Sequence, residues 1–331
     1  MSEILFLVVE NYIRMGEPVG SKKICECMKN PPSAATVRNE MASLSALGLL
    51  EQPHISSGRV PTLDGYRFYI NYLVPKKRLS DYEKNYIYGM FDDISYDPES
   101  ILGKSCEILS KITDCTIVSS APPIGDAFVR EIKFVKVGLR TVVLILVTSS
   151  GMVQNQIFNC EFEVNDKILE MFRISVNSEF EGKKIKLLVD EMYRIVLSKE
   201  NKDMFIVPAF EATFKAIKKA CKIQIIVKGE KSLFNFQTPL DAFSILDFIN
   251  DKKFSDFLFS SSNNIKVYIG NDCGMDIFSN CSIIVKKYNV GNHQGVISSI
   301  SSTNVNYSDI ISKINCISNI VQGLFSKIIS F

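Results

Sequence analysis

"SAATVRNEMASLSALGLLEQPHISSGRVPT", residues 33–62, decides how this chain is read. Ser33 follows Asn30-Pro31-Pro32, where proline disfavours a helical residue before it, so the serine hydroxyl is free to cap a new helix. Within that helix Val37, Met41 and Leu44 lie at i, i+4 and i+7 and make one apolar stripe. Thr36, Asn39, Glu40 and Ser43 point the other way, with Arg38 at the flank. Gly48 stops the helix, Leu49-Leu50-Glu51-Gln52 can form a strand, Ser56-Ser57-Gly58 supplies turn chemistry, and Arg59-Val60 starts a return strand.

Upstream, Leu5, Val8, Val9, Tyr12 and Ile13 recur at helical spacing, and Gly16 and Pro18 end that helix. Ser21 can cap a short second helix through Met28. Downstream, Asp64 or Thr62 caps another, with Tyr66, Tyr69, Ile70 and Leu73 on its buried side. Three helices followed by a two-stranded hairpin is the order of a winged helix-turn-helix. A helix that enters the major groove must bring its backbone near base edges, which suits the small residues of its first turns. Ser33, Ala35, Thr36, Arg38 and Asn39 are therefore the candidate recognition surface: arginine can grip guanine and asparagine adenine in bidentate fashion. His54, Ser57, Gly58 and Arg59 are the candidate wing, with the arginine directed along or into the minor groove. A polar helix face that simply meets water is the other reading the pattern permits.

Total charge does not point to nucleic acid. The 331 residues carry a formal +2, and over residues 1–75 seven Lys and Arg are matched by seven Asp and Glu. The DNA-binding reading rests on where the charges sit. Val74-Pro75-Lys76-Lys77-Arg78 reads as a boundary whose basic triplet is either a solvated linker or a contact to the DNA backbone.

From residue 99 the pattern changes. A helix spans Ser100 to Ile112, and strands are expected at Cys115–Ser119, Val129–Gly138, Thr141–Thr148 and Met152–Phe158, the last three as an antiparallel meander. Residues 165–259 read as mostly helical; strands return at Ile265–Ile269, Cys281–Lys287 and Gln294–Ile300 before a final helix from Tyr307 to Phe325. Strands on both sides of a helical stretch predict a helical insertion within one α+β domain. The expected divisions are a winged-helix domain over 1–75, a linker over 76–98, the α+β domain in two parts over 99–162 and 263–331, and the insertion over 163–262.

Other chemistry finds little support. Gly103-Lys104-Ser105 lacks the earlier glycine of a phosphate-binding loop, because that position is Pro98. Cys25 and Cys27 have no Cys or His cluster to complete a zinc site, so no metal and no cofactor is expected. His54 and His293 are the only histidines and neither lies beside a nucleophile motif, so no enzyme is expected. Nine scattered cysteines read as reduced thiols of a cytoplasmic protein. No secretion signal is evident, and the longest aliphatic run, Val142 to Val147, is far short of the ~20 residues of a membrane helix.

Five runs in order resemble the amino-terminal region of the heat-inducible transcription repressor family, HrcA: Gly16-Glu-Pro-Val-Gly-Ser21, Ala35-Thr-Val-Arg-Asn-Glu-Met41, Leu50-Glu-Gln-Pro-His54, Ser57-Gly-Arg-Val-Pro-Thr62 and Gly65-Tyr-Arg-Phe-Tyr69. Weaker similarity, including Phe234-Asn-Phe-Gln-Thr-Pro239 and Val267-Tyr-Ile-Gly270, extends over the rest of the chain. The resemblance implies that the α+β domain is GAF-like and that the insertion serves dimerisation. It further implies a homodimer that binds an inverted-repeat operator upstream of chaperone operons and is kept active by the GroE chaperonin. Control by a small molecule bound in the GAF-like domain is the alternative. Two departures stand out: Ser298-Ser-Ile-Ser-Ser-Thr-Asn304 replaces the family's Gly-Pro-Thr-Arg-Met-containing segment, and the Gln-Pro-Glu-Phe run of the insertion is degraded.

Overall fold

The computed structural model describes residues 1–54, 57–92, 94–95, 97–121, 127–149, 151–189, 191, 205–221, 225–235, 239–290 and 293–329. The chain begins with α1 (Ser2–Met15), α2 (Ser21–Cys27) and α3 (Ala34–Ala46). Gly16, at a φ of 71°, ends α1 in the left-handed conformation that a residue with a side chain rarely adopts. A hairpin follows, β1 (Leu50–Glu51) and β2 (Val60–Pro61), in the register Leu50↔Pro61 and Glu51↔Val60. Val19 pairs with Arg59 in an isolated antiparallel bridge beside the hairpin. Thr62, rather than Asp64, caps α4 (Leu63–Phe68) by accepting from the Gly65 N–H at 3.1 Å; α4 then widens into a π-helical turn, Tyr69–Leu73. The stripe Val37, Met41 and Leu44 is buried as expected, against Leu5, Val8 and Val9 of α1.

Helices α5 (Asp81–Gly89) and α6 (Pro98–Thr113) lead into a five-stranded antiparallel sheet. Its strands are β3 (Thr116–Ser120), β7 (Ile225–Lys228), β8 (Lys266–Ile269), β9 (Cys281–Val290) and β10 (His293–Ser302), in the order β7-β3-β10-β9-β8. Helix α6 and the last helix, α11 (Tyr307–Ile329), cover one face. Helices α9 (Pro239–Ile249) and α10 (Lys252–Ser260) cover the other, where Ile245, Ile249, Phe254, Leu258 and Phe278 fill the space above Val118, Ile283 and Val285. Both sheet faces are thus occupied by packed side chains.

A second antiparallel sheet, β4 (Val129–Lys136), β5 (Thr141–Thr148) and β6 (Val153–Asn159), has its own core. Val142, Leu144, Leu146 and Ile132 meet Phe172, Val176 and Phe180 of α7 (Asp166–Phe180) and Phe210 of α8 (Val207–Ala220). This packing differs from the expected divisions at 162/163 and 262/263. The meander groups with the helices that follow it, whereas residues 225–235 and 239–260 pack on the five-stranded sheet. Residues 225–228, expected as helix, are the β-branched run Ile-Ile-Val and a lysine, paired with β3 as Ile225↔Ser120.

The other face of the three-stranded sheet is open and mostly apolar, with Lys133 and Asn155 flanking Ile145 in its middle row. The register sets Val135, Val143 and Ile157 in one row and Val147 beside Val153 in another, with Ile145 between. Val135 is 45% exposed, Val153 57% and Ile157 62%. Glu131 and Lys133, on the same face, pair at 3.3 Å.

The winged-helix head is not tethered loosely. One continuous core joins Ile4, Leu5, Val8 and Tyr69 of the head to Tyr307, Ile310 and Ile314 of α11. The Tyr307 ring lies 6.1 Å from Tyr66 and 6.5 Å from Tyr69, centroid to centroid. Tyr69 donates its hydroxyl to Glu10. Arg67 donates to Asp64 and Asp272, and to the Ile269 carbonyl at 3.2 Å. Lys77, from the basic triplet, donates to Asp309 at 2.5 Å, which ties the triplet to the body. Burial pushes the Asp309 carboxyl up, but hydrogen bonds from Lys313 and Lys77 outweigh that and hold it below the usual carboxylate range. The divergent segment 298–304 lies in β10 and the turn after it: Ser298 donates to the Val118 carbonyl and Asn304 accepts from the Tyr66 hydroxyl.

Candidate nucleic-acid interface

Helix α3 presents Ala35, Thr36, Arg38 and Asn39 to solvent, opposite its buried stripe. Ser33 caps the helix: its Oγ accepts from the Thr36 N–H at 3.0 Å and lies 2.9 Å from the Thr36 hydroxyl. The two hydroxyls that the sequence offers to DNA are therefore already coupled to each other, and they fix the entry of the helix. Among the described residues, the Arg38 and Asn39 side chains have no hydrogen-bond or ion-pair partner, so both are available to a ligand.

The wing is held from within. The Ser57 Oγ donates to the His54 carbonyl at 2.7 Å and accepts from the His54 N–H at 3.0 Å, while Gln52 donates to the Ser57 carbonyl at 3.1 Å. A Cβ on Gly58 would stand 2.4 Å from the carbonyl carbon and oxygen of Val19, so only glycine fits there. Ser57 and Gly58 thus shape the wing from within. The His54 side chain is exposed. Residues 55 and 56 lie outside the described residues.

Arg59 sits on the return strand. Its N–H and C=O exchange hydrogen bonds of 2.9 Å with Val19, and its Nε is buried without a hydrogen-bond partner among the described residues. Together α2, α3 and the hairpin enclose a cleft of about 600 Å³ lined by Gly20, Ser21, Lys22, Arg38, Gln52 and Arg59 among others, with no carboxylate in its lining. Four of the seven acids in residues 1–75 are engaged away from the cleft: Glu10 receives the Tyr69 hydroxyl, Glu26 pairs with Lys23 at 3.3 Å, Glu40 with the amino terminus at 3.5 Å, and Asp64 with Arg67 at 2.7 Å. The balanced total conceals a one-sided distribution, positive at the cleft. Lys22 and Gln52 do not stand out in the sequence. The only signal for Lys22 is a cation at the start of a helix after Gly20-Ser21.

All nine cysteines are free thiols. Burial pushes the Cys106 thiol up to about 12 and the Cys115 thiol up to about 11, so both stay protonated at neutral pH. Among the described residues no cluster of His, Cys, Asp or Glu could hold a metal ion, and no helix is long and apolar enough to cross a membrane.

Comparison with known proteins assigns both halves. Residues 1–72 match the family profile described as winged helix-turn-helix transcription repressor, HrcA DNA-binding, and residues 99–311 match that of the HrcA protein C terminal domain. The chain is 30% identical to the heat-inducible transcription repressor HrcA of Clostridium perfringens strain SM101 over 322 residues, covering 94% of this chain and 93% of that one. It is 30% identical to the protein of the same name from Halalkalibacterium halodurans over 339 residues, covering 98% and 96%. A crystal structure described as that of a hypothetical protein shares the fold, with a TM-score of 0.73 at 21% identity, covering 99% of this chain and 98% of the other.

Proposed function

The chain belongs to the HrcA family of heat-inducible transcription repressors, and from that premise we propose that it binds an inverted-repeat operator as a homodimer, blocks chaperone operons, and depends on the GroE chaperonin to stay active. The observation that carries the DNA contact is the exposed, small-residue first half of α3 lying beside a cleft that cations line and carboxylates do not. An α-helix with this profile can approach base edges in the major groove. The contact set is Ser33, Ala35, Thr36, Arg38 and Asn39 on the helix, with His54 and Arg59 from the hairpin and with Ser57 and Gly58 holding its shape.

The test is duplex selection from random inverted repeats by the full chain, followed by Arg38→Ala. The variant should lose about 1–3 kcal/mol on the selected site and relax the preference at one base position. An equal loss on every sequence would instead make Arg38 a phosphate contact.

Two further observations support the finer reading. The open apolar face of β4-β5-β6 suits a second copy of the chain, because such a face is normally covered. A two-fold dimer reads a site with two-fold symmetry. The topology supports dependence on a chaperonin. Strand β3 pairs with β10 as Ser119↔Ile297, and the largest core joins residues near Ile4 to residues near Phe325. Such non-local pairing forms late and leaves apolar surface exposed in intermediates. After heat inactivation, operator binding should recover when GroE chaperonin and ATP are added; equal recovery in buffer alone would count against the chaperonin. The packed faces of the five-stranded sheet favour this control over a small molecule bound there.

A further inference from the structure

We infer that the cleft between α2, α3 and the hairpin is a socket for the DNA phosphate backbone, in which Arg59 and Lys22 act as a sequence-independent clamp. The inference rests on the DNA-binding reading above and assigns its electrostatic half. Four observations carry it. Lys22, Arg38 and Arg59 line one concavity of about 600 Å³, and no acidic side chain lines it with them. Arg59 is rooted by two 2.9 Å backbone hydrogen bonds to Val19, so its side chain starts from the base of the wing and not from its tip. Its Nε is buried, and no described residue accepts from it. Gly58 packs closely on Val19, and the chain from Val19 through Gly20 and Ser21 to Lys22 lines the same cleft as Gly58 and Arg59.

An anion with several acceptor oxygens fits these facts. A guanidinium offers donors in a fixed fork that matches a phosphate, and a lysine ammonium adds a point charge. A base edge fits them less well, because Arg59 is rooted on the strand paired with Val19 and its donors do not project from α3, the helix suited to the groove. The expected minor-groove role of Arg59 is thereby replaced by a backbone role, and Lys22 joins the contact set. Division of labour follows: the exposed face of α3, with Ala35, Thr36 and Asn39 outside the cleft and Arg38 at its border, reads sequence, while Arg59 and Lys22 fix register on the duplex.

The experiment measures affinity by fluorescence anisotropy across a salt series. It uses the full chain, a duplex selected from random inverted repeats, and a scrambled duplex of equal length. Arg59→Ala and Lys22→Ala should each reduce the slope of log affinity against log salt by about 0.9 for every phosphate that is no longer neutralised in a protomer. Each should weaken the selected and scrambled duplexes by the same factor. Arg59→Lys should restore the slope, which separates a missing charge from a disturbed wing. A slope unchanged in Arg59→Ala, or a loss confined to the selected duplex, overturns the clamp while leaving DNA binding intact. Failure of the unmodified chain to bind either duplex overturns both readings.

Discussion

Ile157→Lys should convert the repressor to a monomer and lower its affinity for a two-half-site operator about 10²- to 10⁴-fold, the range lost when linked binding events become independent. Ile157 is 62% exposed and stands in a row with Val135 and Val143 on the open face of the three-stranded sheet. A lysine there touches no buried neighbour in the single chain, so thermal stability of the protomer should shift by no more than about 0.5 kcal/mol. In a dimer that buries this face, the same lysine would place an unpaired ammonium among valines and isoleucines, which is costly. Sedimentation should therefore report half the mass, and affinity for a single half-site should be unchanged. Retained dimer mass and retained operator affinity would remove this sheet from the proposed interface.

Tyr307→Ala should destabilise the whole chain by about 3–5 kcal/mol, the cost of emptying a large aromatic site in a packed core. Tyr307 is fully buried, lies against the rings of Tyr66 and Tyr69, and donates to the Thr303 carbonyl at 2.7 Å. It is the first residue of α11 and reaches into the head, so its removal opens the seam between the DNA-binding and carboxyl-terminal regions. Tyr307→Phe keeps the ring and should cost only about 1 kcal/mol, because a single hydrogen bond is at stake. Denaturant unfolding of both variants checks the ratio. Equal small losses would mean that the head packs independently of α11.

The head is legible because its signals are local. Ser33 caps α3, the i, i+4, i+7 stripe is buried, and Gly16 ends α1, all within reach of single-residue chemistry. The carboxyl-terminal division is not, because nothing in Val142-Val143-Leu144 says which helices will cover it. The answer comes from Phe172 and Phe210, far along the chain. The same holds for Ile225–Lys228, whose partner strand lies at Ile117–Ser120. At the site, spacing identifies Ala35, Thr36, Arg38 and Asn39 on one exposed face. It cannot show that Ser57 and Gly58 work inside the wing, nor that Lys22 shares a cleft with Arg59. Those facts depend on the pairing of Val19 with Arg59, which lie on opposite sides of α2, α3 and β1 in the chain.

Hydroxyl-radical footprinting of the full chain on duplexes selected from random inverted repeats should show two protected half-sites related by two-fold symmetry and a whole number of helical turns apart, with protection lost in Arg38→Ala/Asn39→Ala. A uniform pattern with no protected sequence, or protection that persists in that double variant, would contradict sequence reading by α3 in a two-fold dimer.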